Sequence, residues 1–444
     1  MQHTPRPLRL LVLTHSYWPE HSPPQRRWSS LTRYLVPAGW DVSFLAPAPR
    51  FHGTAEAAPE GPGWGRARGP LGETIHRVPY LSRAHGRLGK LADQLFTAAA
   101  SAVRGLSTGP FDVILVTAPS LPLMVAGWLL ARLKGVPFVV EMRDAWPNLA
   151  EDANLVRHGG KSLINRVVEH VQDHADLVVT VTEGFARTLR ERGVRNVTTV
   201  RNGVVLERTP RLLPPPPSRE RLEVLYLGNH GESQRLEHLV EAAALVGDGM
   251  RLTLVGQGSR KPALEELAAR LDAPVRFLPP EYGRAVFERY AESDTVVVSL
   301  RDDWKSFEDT IPSKTYEALS VGRHITAIVR GEAARVLAAA GEGDVVEGRP
   351  ADIARLWRGL IADRTRLRQR SSGRAWVAAH ADYPDLAARY DGVLRDVLAG
   401  RPVHAQPAAT VPGTAHRMSP AGDIRGRSRG SAPEHRKMGD HHAA

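Results

Sequence analysis

Lys314 and Glu317 lie one helical turn apart at the start of a predicted helix that ends at Gly322. Residues 295–300 precede them as a β-branched run with the length of a buried strand. A helix that follows a parallel strand points free backbone N–H groups into the crevice above the sheet, where they favour a phosphate. Lys314 would add positive charge there, and Glu317 would accept hydrogen bonds from sugar hydroxyls. The spacing indicates either such a site or, as the alternative, a helix capped by Ser313 with a solvated Lys314–Glu317 ion pair.

Arg143 and Asp144 form a second candidate cluster. They follow residues 137–141, which are predicted as a buried strand. Open parallel sheets bind their ligands at the carboxyl ends of the strands, so these two side chains are candidates for a ligand contact. The alternative is structural: Asp144 caps the following helix and Trp146 packs beside it.

Three short motifs carry a resemblance to a known family. In chain order they are Arg143-Asp144-Ala145-Trp146-Pro147, Asn202-Gly203-Val204 and Pro312-Ser313-Lys314-x-x-Glu317. Over roughly residues 8–398 the chain resembles the retaining glycosyltransferases of the GT-B fold, family 4, and within them the WbuB/WcaI-like subgroup of surface-polysaccharide assembly.

The resemblance implies a role for each residue of the late motif. The helix N-terminus at Ser313 and Lys314 would bind the diphosphate of a nucleotide-sugar donor, and Glu317 would bind the ribose. Many family members carry an earlier glutamate with seven residues between the two. In this chain Asp309 stands at that position and reaches one methylene less far.

The resemblance also implies catalytic groups. Many relatives carry a histidine near the Arg143–Asp144 loop that contacts the donor sugar. This loop has none, so Arg143 or Asp144 would take that position. Lys314 would stabilise the charge that grows on the departing diphosphate. These three residues are the predicted catalytic residues.

Two glycine-containing loops of the second half are predicted to approach the donor. Gly228 and Asn229 follow one strand, and Gly256 follows the next. The basic pair that the family commonly has in the first loop is missing, and Arg235 is the candidate substitute. A dinucleotide-binding oxidoreductase is disfavoured because position 261, where a Gly-x-Gly-x-x-Gly fingerprint needs its third glycine, is lysine.

Apolar strands alternate with helical segments on both sides of a run of four prolines, residues 214–217. This pattern predicts an α/β fold of two Rossmann-like domains that face each other across a cleft, as in GT-B enzymes. The predicted helices include Arg26–Pro37, after a proline-rich loop, Thr365–His380 and Tyr383–Leu398. The predicted divisions are an acceptor domain at 1–205, a linker at 206–221, a donor domain at 222–380, a helix at 381–398 that returns to the first domain, and a disordered basic tail at 399–444.

The composition limits the chemistry and the kinds of partner that the protein can have. The chain has 444 residues, a net charge of +11 and no cysteine, which excludes disulfides, thiolate metal sites and cysteine nucleophiles. Residues 50–90 and 400–444 each hold seven Arg/Lys against three Asp/Glu. Both segments are predicted as loops or tail, so they favour an anionic lipid surface or a phosphate-bearing acceptor over nucleic acid. The alternative, which is preferred for the tail, is a generic surface that keeps the protein soluble.

The predicted helix Leu88–Leu106 carries a long apolar stripe beside the first basic segment. The stripe would dock on a membrane surface or, as the alternative, face the core of the domain. No apolar run reaches the roughly 20 residues that span a bilayer.

Together with these features, the resemblance implies a glycosyltransferase that moves a sugar, with retention, from a UDP-linked donor to a glycan or polyprenyl-diphosphate-linked acceptor. No metal or other cofactor is expected, since no Asp-x-Asp motif stands in a suitable loop. The expected location is the cytoplasm, as a peripheral protein on the inner face of the cell membrane. The alternatives are a GT-B-like sugar-nucleotide epimerase or hydrolase and a non-catalytic basic binding module.

Overall fold

The computed structural model describes most of the chain. Trp146 and residues 404–444 of the predicted basic tail lie outside the described residues, as does part of the basic segment at 50–90. The described residues are 6–49, 63–81, 86–118, 120–144, 163–368 and 372–403.

The first domain is built on an eight-stranded sheet. Its strands are β1 (Leu8–Leu13), β2 (Trp40–Pro47), β3 (Gly65–Arg68), β4 (Thr74–Val78), β5 (Val113–Thr117), β6 (Phe138–Met142), β7 (Leu177–Thr180) and β8 (Val197–Thr199). Their order is β3-β4-β2-β1-β5-β6-β7-β8, and only the β3–β4 pair is antiparallel. β1 lies near the centre, which explains its apolar sequence, because a parallel strand covered on both faces has no solvent side.

Helices cover both faces of this sheet. They are α1 (Pro23–Leu35), α2 (Gly86–Ser107), α3 (Leu121–Lys134), α4 (Leu163–Asp173) and α5 (Glu183–Glu191). α1 begins three residues before the predicted Arg26. Ser22 caps it by accepting a hydrogen bond from the N–H of Gln25 at 3.3 Å. Prolines fit the first helical positions because the N–H groups they lack would have no partner within the helix.

The second domain is built on a six-stranded parallel sheet. Its strands are β9 (Leu222–Asn229), β10 (Met250–Gln257), β11 (Val275–Leu278), β12 (Thr295–Ser299), β13 (His324–Ile328) and β14 (Asp344–Val345), in the order β11-β10-β9-β12-β13-β14. Its helices are α6 (Glu237–Val246), α7 (Lys261–Arg270), α8 (Arg284–Glu292), α9 (Ser313–Val321), α10 (Gly331–Ala340), α11 (Pro350–Ala362) and α12 (Ser372–His380). The predicted helix Thr365–His380 is not continuous: residues 364–367 form a 3-10 turn and α12 starts at Ser372.

The last helix, α13 (Tyr383–Leu398), has the predicted bounds and packs against α1 of the first domain. Its buried residues include Leu386, Tyr390 and Leu394, which share a core cluster with β1 and Trp28. The hydroxyl of Tyr390 donates to Glu141 at the end of β6, at 3.0 Å. The chain therefore ends its second domain and then returns to the first.

The predicted α/β fold with two parallel-sheet domains is confirmed. Residues 206–208, after β8, form a 3-10 turn. Residues 209–221, which lead from this turn to β9, contain neither α-helix nor strand. None of the helices in the described ranges has both the length and the apolar character needed to cross a bilayer.

Candidate active site

Contacts between the domains come from the carboxyl ends of the strands in both sheets. On the first side they involve the start of α1 after β1, the start of α5 after β7, and Arg201 after β8. On the second side they involve residues that follow β12 and β13. The two edges at which parallel sheets bind ligands therefore face each other, and the cleft between them is the candidate site.

α9 begins at the edge of this cleft. Pro312 occupies the N-cap, Ser313 is the first helical residue, and Gly322 ends the helix with a φ of 75°. No side chain forms a capping hydrogen bond at its N-terminus. The alternative in which Ser313 caps the helix is therefore wrong, because the serine lies one position inside it. The N–H of Thr315 donates to the carbonyl oxygen of Pro312 at 2.9 Å. The N–H groups of Ser313 and Lys314 have no acceptor within the helix and can bind an anion.

Glu317 is the centre of a hydrogen-bond network that joins both domains. Its Oε2 accepts from the hydroxyl of Tyr290 at 3.0 Å and from Nζ of Lys314 at 3.3 Å. Its Oε1 accepts from Arg26 of α1, across the cleft, at 2.8 Å. The side chains of Lys314 and Glu317 are only 22% and 18% exposed. The alternative of a solvated Lys314–Glu317 pair is therefore wrong, since both side chains are largely buried and Glu317 also binds Tyr290 and Arg26.

The charges in this network set its protonation. Burial opposes the charge on Glu317, but Lys314 and Arg26 outweigh it and lower the pKa of the carboxyl. Burial lowers the pKa of Lys314, which Glu317 partly offsets. Burial also raises the pKa of Tyr290, so its hydroxyl stays a donor to the carboxylate. Glu317 is thus an ionised, acceptor-only group, which suits binding to hydroxyls.

Asp309 lies at the domain interface. It ends a 3-10 turn after β12, and its Oδ2 accepts from the hydroxyl of Thr188 in α5 at 3.2 Å. A Cβ at Gly184 would lie 2.2 Å from its Oδ1, so the carboxylate contacts the first turn of α5 directly. Burial raises the pKa of Asp309, which the Thr188 bond only partly opposes. The structure associates Asp309 with α5, and its contact with the transferred sugar stays a prediction.

Glu332 joins the domains beside Asp309. Its carboxylate accepts from the backbone N–H groups of Glu183 and Gly184, and from Arg201 at 2.7 Å. A carboxylate at this place satisfies the free N–H groups of the α5 N-terminus from the opposite domain. This role of Glu332 was not predicted from the sequence, since no spacing rule relates residue 332 to residue 183.

Arg143 and Asp144 follow β6 on the first-domain wall of the cleft, and both are half-buried. Burial lowers the pKa of Arg143 and raises the pKa of Asp144, although each charge partly stabilises the other. Nε of Arg143 is buried and has no hydrogen-bond partner among the described residues. The helix that Asp144 would cap in the alternative lies outside the described residues.

Glu141, at the end of β6, fixes the base of this wall. It is fully buried and accepts hydrogen bonds from Arg27, Trp28, Thr117 and Tyr390. Of the two adjacent arginines of α1, Arg27 thus has a structural role, while the neighbouring Arg26 reaches Glu317. The sequence alone left open whether these two arginines face the cleft or the solvent. The available signal was the spacing of apolar residues in α1, at 24, 28, 31 and 35, which places Arg27 on the inner face.

The glycine loops of the second domain lie side by side at the ends of β9 and β10. Gly256 pairs in register with Gly228, and its φ is 148°. A Cβ at Gly256 would lie 1.9 Å from the carbonyl oxygen of Gly228, so close packing of the two strand ends requires a glycine there. Asn229 is exposed at the end of β9. Arg235 adopts a left-handed conformation and pairs with Asp302 at 3.3 Å, so its charge is already partly neutralised.

A pocket of about 500 Å³ lies elsewhere, at the amino ends of β9 and β10. Arginine and glutamate side chains line it, and none of the predicted site residues does. Parallel α/β sheets bind ligands at the opposite ends of their strands, so the cleft remains the candidate active site.

The chain is similar to known proteins in part of its sequence and in its fold. Residues 24–203 match the model of the glycosyl transferase 4-like domain. A search of curated proteins gave no match. Similar solved structures include sucrose-phosphate synthase from Thermosynechococcus elongatus, with a TM-score of 0.70 and 16% identity over 88% of this chain and 100% of that chain. HepE from Anabaena, in complex with UDP and glucose, has a TM-score of 0.62 and 15% identity over 88% of this chain and 100% of that chain.

A third similar structure is α,α-trehalose 6-phosphate synthase from Burkholderia multivorans. Its TM-score is 0.60, with 14% identity over 89% of this chain and 98% of that chain. At these identities the likenesses show the fold, and the predicted GT-B arrangement is confirmed. The predicted enzyme class, a glycosyltransferase, is confirmed by the match of residues 24–203 to the glycosyl transferase 4-like domain.

Proposed function

We propose that the protein is a retaining glycosyltransferase that moves a sugar from a UDP-linked donor to a glycan or lipid-linked acceptor. The observation that carries the proposal is the first turn of α9, where Lys314 and Glu317 meet Arg26 from the opposite domain at the ligand-binding edge of both sheets. The choice of UDP is supported by the HepE complexes, which contain UDP, UDP and glucose, or UDP-glucose. We further propose a WbuB/WcaI-like role in surface polysaccharide or glycoconjugate biosynthesis, at the cytoplasmic side of the cell membrane.

In this proposal the second domain holds the nucleotide. Glu317 accepts hydrogen bonds from the ribose hydroxyls, in place of or beside Arg26. Ser313 and Lys314 bind the diphosphate with the free N–H groups of the α9 N-terminus. Gly228, Asn229 and Gly256 form the facing wall. Arg235 adds positive charge nearby, and Asp309 is the candidate contact to the transferred sugar.

The chemical step breaks the bond between the anomeric carbon and the diphosphate oxygen. The acceptor hydroxyl oxygen forms the new bond on the same face, its proton passes to the departing diphosphate, and UDP leaves. Lys314 and the helix N-terminus stabilise the negative charge that grows on the leaving group. Arg143 and Asp144, on the opposite wall, are the candidates for orienting the sugar and the acceptor hydroxyl. In this proposal the chain's own residues thus stabilise the leaving group and orient the sugar and the acceptor.

The proposal is tested in two stages with the full-length protein. Thermal unfolding is first followed with a panel of UDP-, GDP- and dTDP-linked sugars. A donor at 100 times its Kd adds about 2.7 kcal/mol of stability and so identifies the substrate. Release of the nucleoside diphosphate is then measured with and without candidate acceptors. Release that requires an acceptor supports a transferase, release without one indicates a hydrolase, and conversion of the sugar without release indicates an epimerase.

A further inference from the structure

α2 turns its apolar side away from the protein. The helix has 22 residues, about 33 Å of length, and its large apolar side chains line one side from the first turn to the last. The exposed fractions are 84% for Leu88, 50% for Leu91, 54% for Leu95, 41% for Phe96, 61% for Val103 and 51% for Leu106. We call these six residues the α2 stripe.

The inner side of α2 is polar or small, and it fixes the helix in this orientation. Asp93 is buried and accepts from the N–H of Leu81 at 2.9 Å. Thr97 and Ser101 are buried along the same side. A Cβ at Gly105 would lie 2.3 Å from a methyl of Leu130 in α3. Rotating the helix to bury its leucines would remove Asp93 from its donors, so the core-facing alternative for the stripe is wrong.

An exposed apolar surface of this length is costly in water and marks an interaction site. α3, which packs against α2, adds exposed Leu129 and Leu133. The charges nearby indicate the partner. Within the described part of residues 63–134 the acidic residues are Glu73 and Asp93, both buried, and Asp112, which pairs with Arg6. The exposed basic side chains of the same part include Arg66, Arg68, Lys90 and Arg132.

We propose that α2 docks the first domain on an anionic membrane surface. The α2 stripe inserts between the lipid headgroups and the acyl chains, and exposed basic side chains of the same part of the chain bind the headgroups. A second copy of the chain fits this surface less well, because a two-fold contact would bring positive side chains against the same positive side chains. Docking does not depend on the proposed sugar transfer and is measured without it.

The test uses the full-length chain and co-sedimentation with vesicles. One set of vesicles contains equal parts of phosphatidylglycerol and phosphatidylcholine, and the other contains phosphatidylcholine alone. Binding to the anionic vesicles should be stronger and should weaken with salt, since salt screens the headgroup contacts. The variant Leu88→Ser/Leu91→Ser/Leu95→Ser should lose binding by roughly tenfold or more, because the inserted apolar area is removed. Its thermal stability should not fall, since these side chains are exposed.

A matched control replaces three leucines that are exposed elsewhere, as Leu213→Ser/Leu245→Ser/Leu271→Ser. This variant should bind the anionic vesicles like the wild type. Because the chain has no cysteine, Leu95→Cys offers a single site for an environment-sensitive fluorophore. Its emission should shift to the blue on anionic vesicles, and that of the same fluorophore at Leu213→Cys should not.

Three results would overturn the inference. The wild type could fail to bind anionic vesicles, or the stripe variant could bind them as well as the wild type does. In a third case the wild type would be a dimer that the stripe variant dissociates, without vesicle binding by either, and the stripe would then be an interface between copies. Each result leaves the donor-binding test of the proposed function unaffected.

Discussion

Replacing Glu317 by glutamine tests the donor site at the side chain where the two domains meet. Glutamine keeps the length and shape of the side chain and removes its charge. In the wild type the carboxylate accepts from Arg26, Lys314 and Tyr290. The amide of the variant can still accept from the Tyr290 hydroxyl, whereas the two cations lose their counter-charge.

The expected magnitudes follow from these contacts. A hydrogen bond to a charged group contributes about 1.5–3 kcal/mol, and one between neutral groups about 0.5–1.5 kcal/mol. With two ribose hydroxyls on the carboxylate, the variant should bind the donor about 2–3 kcal/mol more weakly, or roughly 30- to 150-fold in Kd. Its free energy of unfolding should fall by about 1–3 kcal/mol, because the largely buried Lys314 loses its partner. The Arg26 pair adds at most about 1 kcal/mol to that loss, since Arg26 is 55% exposed.

The assay is isothermal titration of uridine, UDP and the donor identified by the thermal screen. All three ligands share the ribose, so all three should lose affinity by the same factor. Glu266→Gln, at an exposed glutamate of α7, is the control for the same change of charge and should bind like the wild type. A folded Glu317→Gln variant that binds uridine as tightly as the wild type would refute the ribose contact. A loss confined to UDP and the donor would place Glu317 near the diphosphate instead.

Lys314→Ala should weaken the binding of UDP and of the full donor equally, by about 1.5–3 kcal/mol or one to two decades in Kd, because a charge-assisted bond to phosphate is lost. The binding of uridine should be unaffected. A loss seen only with the intact sugar nucleotide would place Lys314 on the sugar. His230 should make the protein acid-labile: burial lowers its pKa to about 4 from 6.5, so the unfolded chain binds a proton first and the free energy of unfolding falls as pH drops from about 6.5 to about 4. The full loss is about 3 kcal/mol, and urea titrations of His230→Gln should show a smaller fall over that pH range than the wild type; an equal fall would assign the lability to other groups such as His76. Gly256→Ala should destabilise the second domain by about 3 kcal/mol or more, since its Cβ would overlap the Gly228 carbonyl oxygen. Gly392→Ala, in open space on α13, should instead stabilise the protein by about 0.5–1 kcal/mol in thermal melts. A Gly256→Ala variant that is more stable than Gly392→Ala would contradict the packing described for the glycine loops.

Local chemistry was enough to predict the elements that build the cleft. The β-branched run at 295–300 and the proline and glycine that flank α9 determined that helix within one residue, and Tyr383–Leu398 was predicted with its observed bounds. These features depend on neighbours a few residues away: proline fixes φ, glycine accepts a left-handed conformation, and apolar periodicity marks the buried face. The repeated alternation of strand and helix likewise predicted the two domains.

The partners of the site residues were decided by the tertiary structure. Arg26 reaches Glu317 over 291 residues of sequence, Thr188 reaches Asp309 over 121, and the Glu183 N–H reaches Glu332 over 149. No local rule relates such positions, because each pair forms only when two separately folded sheets meet edge to edge. The α2 stripe shows the same limit. Periodicity determined that one side of the helix is apolar, but only the packing of Asp93 and Gly105 against the domain decided that this side faces outward.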